Sequence, residues 1–171
     1  MFLPVVVSMV LASSPMSAGQ APQGKPAPPQ SKPAAPQGKP AAPGAGRTVE
    51  LTGGDDMKYS MTTISAKPGE TIRIRLTSKG TLPKAVMAHN VVVLKPGAKV
   101  LDFANAAATA RDTDYIPPTM KDQVLAASGL AGPGETVEVT LKVPSAPGSY
   151  PYLCTFPGHF AAGMTGKLVV K

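Results

Sequence analysis

Short runs in which apolar and polar residues alternate, each closed by a Pro/Gly turn, recur along the last two thirds of this chain. They leave room for little except packed β-sheets. In residues 70–77, Glu-Thr-Ile-Arg-Ile-Arg-Leu-Thr, the side chains of Ile72, Ile74 and Leu76 fall on one side and those of Arg73 and Arg75 on the other. That is the period-two pattern of a half-buried strand. Residues 135–143 repeat it with Val137, Val139, Leu141 and Val143 inward. Lys67-Pro68-Gly69-Glu70, Lys95-Pro96-Gly97 and Ala131-Gly132-Pro133-Gly134 read as turns. Further strands are expected over 48–52, 57–64, 88–94, 149–154 and 164–171. Many short strands between such turns predict an all-β sandwich. The Ala-rich segment 100–116 departs from this pattern and predicts a small helical or irregular flap between two groups of strands.

The strands do not begin until about residue 48. Eight of the chain's 20 prolines fall within residues 21–46, and the heptamer Ala-Pro-Gln-Gly-Lys-Pro-Ala occurs at both 21–27 and 35–41. Such a stretch has too few large apolar side chains to offset its ordering entropy, so residues 20–47 are expected to be a disordered, partly polyproline II linker. Ahead of it, Phe2–Ala12 is mostly apolar and small residues follow at Ser13, Ser14, Ser17, Ala18 and Gly19. Eleven residues are too few to span a bilayer as a helix, so 1–19 reads as an export signal, although no Lys or Arg precedes the apolar run. A periplasmic or otherwise extracytoplasmic location follows, with membrane-surface tethering through the N-terminal segment as a further option. The remaining unit, 48–171, is large enough to bury a core of its own.

The net charge of +7 is concentrated ahead of that unit. From Thr48 onward there are 13 basic and 10 acidic side chains, a net +3 of mixed sign. With no recognition helix and no aromatic RNA-binding motif, nucleic acid is not an expected partner.

The chain has 1 cysteine, 2 histidines and no tryptophan, so no intrachain disulfide can form. The cysteine and one histidine lie in Cys154-Thr-Phe-Pro-Gly-His159-Phe-Ala-Ala-Gly-Met164, with the spacing C-x4-H-x4-M; the other histidine is upstream, in Met87-Ala-His89-Asn-Val-Val-Val93. Singly, each of these residues is more ordinarily a core or hydrogen-bonded side chain. Together they use the chain's only cysteine and both its histidines, with a methionine at the right place, and an unpaired cysteine in an exported protein calls for an explanation that a metal supplies. Two imidazoles, a thiolate and a weak thioether form the type 1 (blue) copper set, with His89, Cys154, His159 and Met164 as ligands. Zinc is the next candidate, although it prefers a stronger fourth ligand than a thioether. A strand ending at Cys154, a turn at Pro157-Gly158 and a second loop to Met164 would bring three of the four donors to one point, with His89 arriving from a separate strand.

These segments resemble the bacterial azurin-like cupredoxins. Leu82-Pro-Lys-Ala-Val-Met-Ala-His-Asn90 is similar to the first-histidine segment of azurins, and Cys154-Thr-Phe-Pro-Gly-His159 to their ligand loop. The gap between His159 and Met164 and the wide separation of His89 from Cys154 look closer still to auracyanins. The resemblance runs from about Glu50 to Lys171 and is weak over 100–128. It implies a Greek-key sandwich with one copper at one end. It also implies that Asn90 hydrogen-bonds across to Thr155, that the amide of Phe156 points at the Cys154 sulfur, and that the Ala88 carbonyl lies opposite Met164. Azurins carry glycine at that last position. The resemblance adds an apolar docking patch, in which Phe156, Pro157 and Phe160 frame His159 and Leu82 and Met87 extend the rim.

The function expected from this set is electron transfer between extracytoplasmic redox proteins, such as cytochromes or a copper-dependent oxidase or reductase, without catalysis by the chain itself. The alternative is copper binding for storage or delivery, for which clustered Met or His would be the usual sign; the eight methionines here are dispersed. A catalytic copper-oxidase or nitrite-reductase domain would need a second copper site, and no spare histidines exist to build one.

Overall fold

A computed structural model describes residues 46–171. The expected export signal and nearly all of the expected linker lie outside the described residues. The first strand, β1 (Arg47–Gly53), begins at Arg47, the last residue assigned above to the linker. It is followed by β2 (Thr63–Ala66), β3 (Thr71–Ser78), β4 (Val92–Leu94), the helix α1 (Val100–Ala107), two 3-10 turns (Arg111–Thr113 and Pro118–Gln123), β5 (Val124–Ala127), β6 (Thr136–Lys142), β7 (Gly148–Leu153) and β8 (Thr165–Val170).

The strands form two sheets, of order β1-β3-β6 and β2-β8-β7-β4-β5. β1 runs parallel to β3, and β2 parallel to β8; all other pairs are antiparallel. A parallel pair cannot be joined by a hairpin. The chain therefore leaves β1, forms β2 in the other sheet, and returns as β3. The two sheets close on one apolar layer that includes Val49, Leu51, Ile72, Ile74, Leu76 and Leu141 from the smaller sheet and Ile64, Val93, Tyr152 and Leu168 from the larger.

In β3 the alternation read from the sequence is complete, with every second residue buried. Its outward Arg75 sits opposite Glu138 of β6 and donates to it at 2.6 Å, and to Glu50 of β1 at 3.0 Å. Opposite charges thus face each other across strands on the solvent side. β6 alternates more weakly: Leu141 is buried, while Val137 and Val139 are half-buried.

Three expected boundaries differ. The strand expected over 57–64 starts at Thr63, because Met57 adopts a left-handed backbone (φ +53) and the chain turns there, leaving only a bridge between Gly53 and Tyr59. The strand expected over 88–94 has regular pairing only from Val92. Val92, Val93 and Leu94 are all buried, so this strand does not alternate. The cause is α1, which covers the outer face of the larger sheet: Val92, Leu94 and Leu153 pack with Phe103 of α1 in a second apolar cluster. The helix expected within 100–116 occupies its first half and gives way to 3-10 turns, and the edge strand β5, absent from the sequence reading, pairs with β4. Among the described residues, no helix is long and apolar enough to cross a membrane.

Leu76, fully buried at the centre of β3, has no room to be replaced by a smaller side chain without a void. Leu76→Ala should lower unfolding free energy by about 2–5 kcal/mol, read from the denaturant midpoint. Thr140→Ala, on the solvent face of β6, should change it by no more than about 0.5 kcal/mol.

Candidate metal centre

The segments that join the strands at one end of the sandwich carry the chemically distinctive side chains. Cys154 directly follows β7 and Met164 directly precedes β8. The ladder of that strand pair extends through them, with the Cys154 amide donating to the Met164 carbonyl at 3.0 Å. Between them the chain makes one helical turn, closed by Ala162 N–H to the Gly158 carbonyl at 3.0 Å. The turn ends in two nested bonds, Gly163 N–H to Phe160 O at 2.8 Å and Met164 N–H to His159 O at 2.9 Å, with Gly163 at φ +95. This is a Schellman cap, in which the residue after the left-handed glycine bonds back five positions. The cap joins His159 to Met164 through their backbones, and the x4 spacing between them is its signature.

His89 arrives from the other side of the loop cluster. It forms an isolated bridge with Ala131: the His89 amide donates to the Ala131 carbonyl at 2.9 Å, and the Ala131 amide returns the bond at 2.7 Å. The neighbouring Asn90 spans the gap to the cysteine loop. Its Nδ2 donates to Thr155 Oγ1 at 2.8 Å, and its Oδ1 accepts from the Thr155 amide at 2.9 Å. The Ala88 carbonyl lies 4.0 Å from the Cys154 sulfur.

The ligand atoms of His89, Cys154 and His159 all lie within 4.8 Å of one another, and His159 Nδ1 is 3.5 Å from Cys154 Sγ. Met164 is buried beside them. A Cβ on Gly53 would stand 2.5 Å from Met164 Cε and 3.4 Å from the His89 ring, so a side chain there would push the end of Met164 aside. Neither ring nitrogen of His89 has a hydrogen-bond partner among the described residues, although both are buried. Leaving such atoms unpaired costs about 1–3 kcal/mol, and buried polar groups without partners point to a bound ligand. The donors fit a metal that takes imidazole and thiolate together, as copper does.

Burial sets the protonation of these groups. It lowers the His159 pKa to about 4, with the neighbouring His89 ring adding to the effect, and it also lowers that of His89. Both rings are therefore neutral near pH 7 and offer lone pairs. Burial pushes the Cys154 thiol up to about 11, against backbone hydrogen bonds from Asn90 and Phe156 that favour the thiolate. A cation bound here would displace the thiol proton, as thiolate-bound metals do.

The residues of the expected docking patch are spread over two environments. Leu82 is 43% exposed and Pro157 is exposed, while Met87 is half-buried. Phe160 is also half-buried, because it packs against the second apolar cluster under α1. His159 itself is 2% exposed and His89 0%, so both rings are closely covered. Phe156 does much of the covering, with its ring centroid 4.9 Å from that of His159.

Four residues of this end were not found from the sequence. Gly53 left one available signal, a Gly-Gly pair ending an alternating run. Ala131, Tyr59, whose hydroxyl donates to the Asn90 carbonyl, and Tyr115, whose ring packs on Phe156, left none, because their roles depend on long-range pairing.

Known proteins resemble this chain in sequence and fold. Auracyanin-A of Chloroflexus aurantiacus is 38% identical over 126 residues, 72% of this chain and 74% of its own. Outer membrane protein H.8 of Neisseria meningitidis is 38% identical over 120 residues, 68% of this chain and 63% of its own. The crystal structure of dithionite-reduced auracyanin from Roseiflexus castenholzii superposes with a TM-score of 0.65 at 31% identity, covering 75% of this chain and 99% of that one. The family of copper-binding proteins of the plastocyanin/azurin type matches residues 46–171. With a single cysteine to supply the thiolate, this chain belongs to that plastocyanin/azurin family and carries one copper.

Proposed function

We propose that this protein is a type 1 (blue) copper electron-transfer protein, passing single electrons between extracytoplasmic redox partners, with His89, Cys154, His159 and Met164 as the copper ligands. The observation that carries the reading is the His89 ring, buried with both nitrogens unpaired and within 4.8 Å of the Cys154 and His159 donors. Copper bound there supplies a one-electron couple between Cu(I) and Cu(II).

The chain's own residues make the exchange fast by not moving. Asn90 and Thr155 lock the two ligand segments to each other, and the Schellman cap ties His159 to Met164. Ligands held this firmly rearrange little between oxidation states. The backbone amides of Asn90 and Phe156 favour the Cys154 thiolate, and such contacts tune a site's potential. Phe156 and the neighbouring apolar side chains keep water off His159. A buried donor set of this kind suits electron transfer without turnover of a substrate, so the protein is proposed not to be an enzyme.

The docking surface is proposed to lie over His159, around Leu82, Met87, Pro157 and Phe160, where an apolar surface permits brief, repeated contact with cytochromes or a copper-dependent oxidase or reductase. The name of the Neisseria relative, an outer membrane protein, supports an extracytoplasmic place for this chain. The organisation proposed is an export signal at 1–19, a linker over 20–47 and the copper domain over 48–171. Delivery of copper to another protein is the competing reading. A stable blue colour bleached and restored by reductant and oxidant favours the carrier; ready loss of the metal to an acceptor favours delivery.

Three outcomes follow from the ligand and surface assignments. Cys154→Ser should abolish the intense visible band of the copper(II) protein; a variant that stays blue overturns the ligand set. Met164→Leu should still bind copper and remain blue, with a raised reduction potential measured by voltammetry, because a weak axial ligand adjusts the couple more than it holds the metal. Leu82→Lys places a charge on the exposed rim without disturbing the core, and should slow electron self-exchange about tenfold or more at low ionic strength through like-charge repulsion. Lys142→Gln, on β6 of the other sheet, is the control and should leave the rate unchanged.

A further inference from the structure

Asp114 and Tyr115 both adopt a left-handed backbone, with φ +51 and +60. Single left-handed residues are tolerated by Asp, but a bulky residue there is a conformational outlier. Such conformations persist only where the surroundings over-determine them, and they cluster at functional sites. The surroundings here do so. The Tyr115 amide donates to the Ala110 carbonyl at 2.9 Å and the Asp114 amide to the Arg111 carbonyl at 3.2 Å. Thr113 Oγ1 donates to the carbonyl of Ala110 at 3.1 Å or Ile116 at 2.7 Å.

The strained corner turns the Tyr115 ring inward, leaving the residue 8% exposed, and sets it edge-on against Phe156 with centroids 5.1 Å apart and planes at 65°. Edge-to-face contact is a favoured arrangement for aromatic pairs. Phe156 in turn touches both neighbouring donors. Its amide lies where it favours the Cys154 thiolate, its carbonyl accepts the His159 amide at 3.1 Å, and its ring packs on the His159 ring. The flap meets the site at a second point, since Asn90 Nδ2 also reaches the Asp114 carbonyl at 3.4 Å. No hydrogen bond of the Tyr115 hydroxyl to another group occurs among the described residues, so the ring makes the contact.

We propose that Tyr115 is a positioning residue for the metal centre: the flap presses its ring on Phe156 and so fixes the turn from Cys154 to His159 and the covering ring over His159. This deepens, and rests on, the copper reading above. It assigns the segment between β4 and β6 a part in setting the site.

The test compares Tyr115→Gly, which keeps the left-handed backbone without a ring, with Tyr115→Phe, which keeps the ring without the hydroxyl. In copper-free protein, amide hydrogen exchange at Phe156 and His159 should speed up about tenfold or more in the glycine variant, while Leu168 in β8 exchanges as in the parent. In copper-loaded protein the same variant should show a displaced sulfur-to-copper absorption band and a shifted reduction potential. Tyr115→Phe should match the parent in every readout. If the glycine variant does not fold, Tyr115→Asn, which also accepts a left-handed backbone, takes its place. Unchanged exchange, band and potential, with only a lower melting temperature, would make Tyr115 a packing residue and overturn the proposal. So would a phenylalanine variant that behaves like the glycine one. A parent protein that never turns blue with copper would instead overturn the ligand reading, and the copper-free exchange would still decide the role of Tyr115.

Discussion

The side chain of Asn90 is the joint on which this end of the molecule depends. It is fully buried and bonds Thr155 with both ends of its amide, so the strand that brings His89 and the loop that brings Cys154 cannot move apart independently. Each such bond contributes only about 1 kcal/mol net, but removing the partner of a buried amide leaves a desolvated group costing about 1–3 kcal/mol. The pair therefore does more to specify geometry than to add stability. Tyr59 reinforces it from below, donating its hydroxyl to the Asn90 carbonyl.

The sandwich supplies the rigidity that this joint requires. β4 and the end of β7 at Leu153 lie inside the larger sheet and are covered on both faces, by the smaller sheet on one side and by α1 on the other. Both proposed ligand segments are thus anchored beside strand residues, Val92 and Leu153, that are buried on both sides of the sheet. The loops they lead into contain left-handed glycines at 158 and 163, so the chain can turn sharply enough to direct His159 and Met164 back toward Cys154. A donor set assembled before any metal arrives contains unpaired buried nitrogens and a thiol held neutral by burial. That cost falls on the apo protein, and a bound cation would relieve it.

Much of the fold was legible because its signals are local. Ile72, Ile74 and Leu76 announce a half-buried strand with the arginines between them, and the Pro/Gly turns mark where strands end. The family resemblance rested on two short segments, 82–90 and 154–159, and the family match now covers 46–171. The illegible parts were those whose character comes from distant neighbours. Val92 and Leu94 do not alternate because α1 covers them, and α1 is separate in sequence. β5 is a strand only because β4 offers it an edge. The left-handed corner at Asp114 and Tyr115 has no glycine to signal it.

By itself, the sequence determined which atoms were available: one thiol, two imidazoles, a well-spaced thioether, and a period-two pattern that could only be buried by stacking sheets. Side-chain chemistry and periodicity are properties of residues and their near neighbours, so they survive without coordinates. Only the tertiary structure decided how those atoms meet. It placed His89 beside Cys154 across 65 residues of chain, made Gly53 the floor under Met164, and set Tyr115 against Phe156. Those relations arise where separate segments pack in three dimensions, and a residue such as Gly53 that permits a close approach does not say which distant segment will approach it.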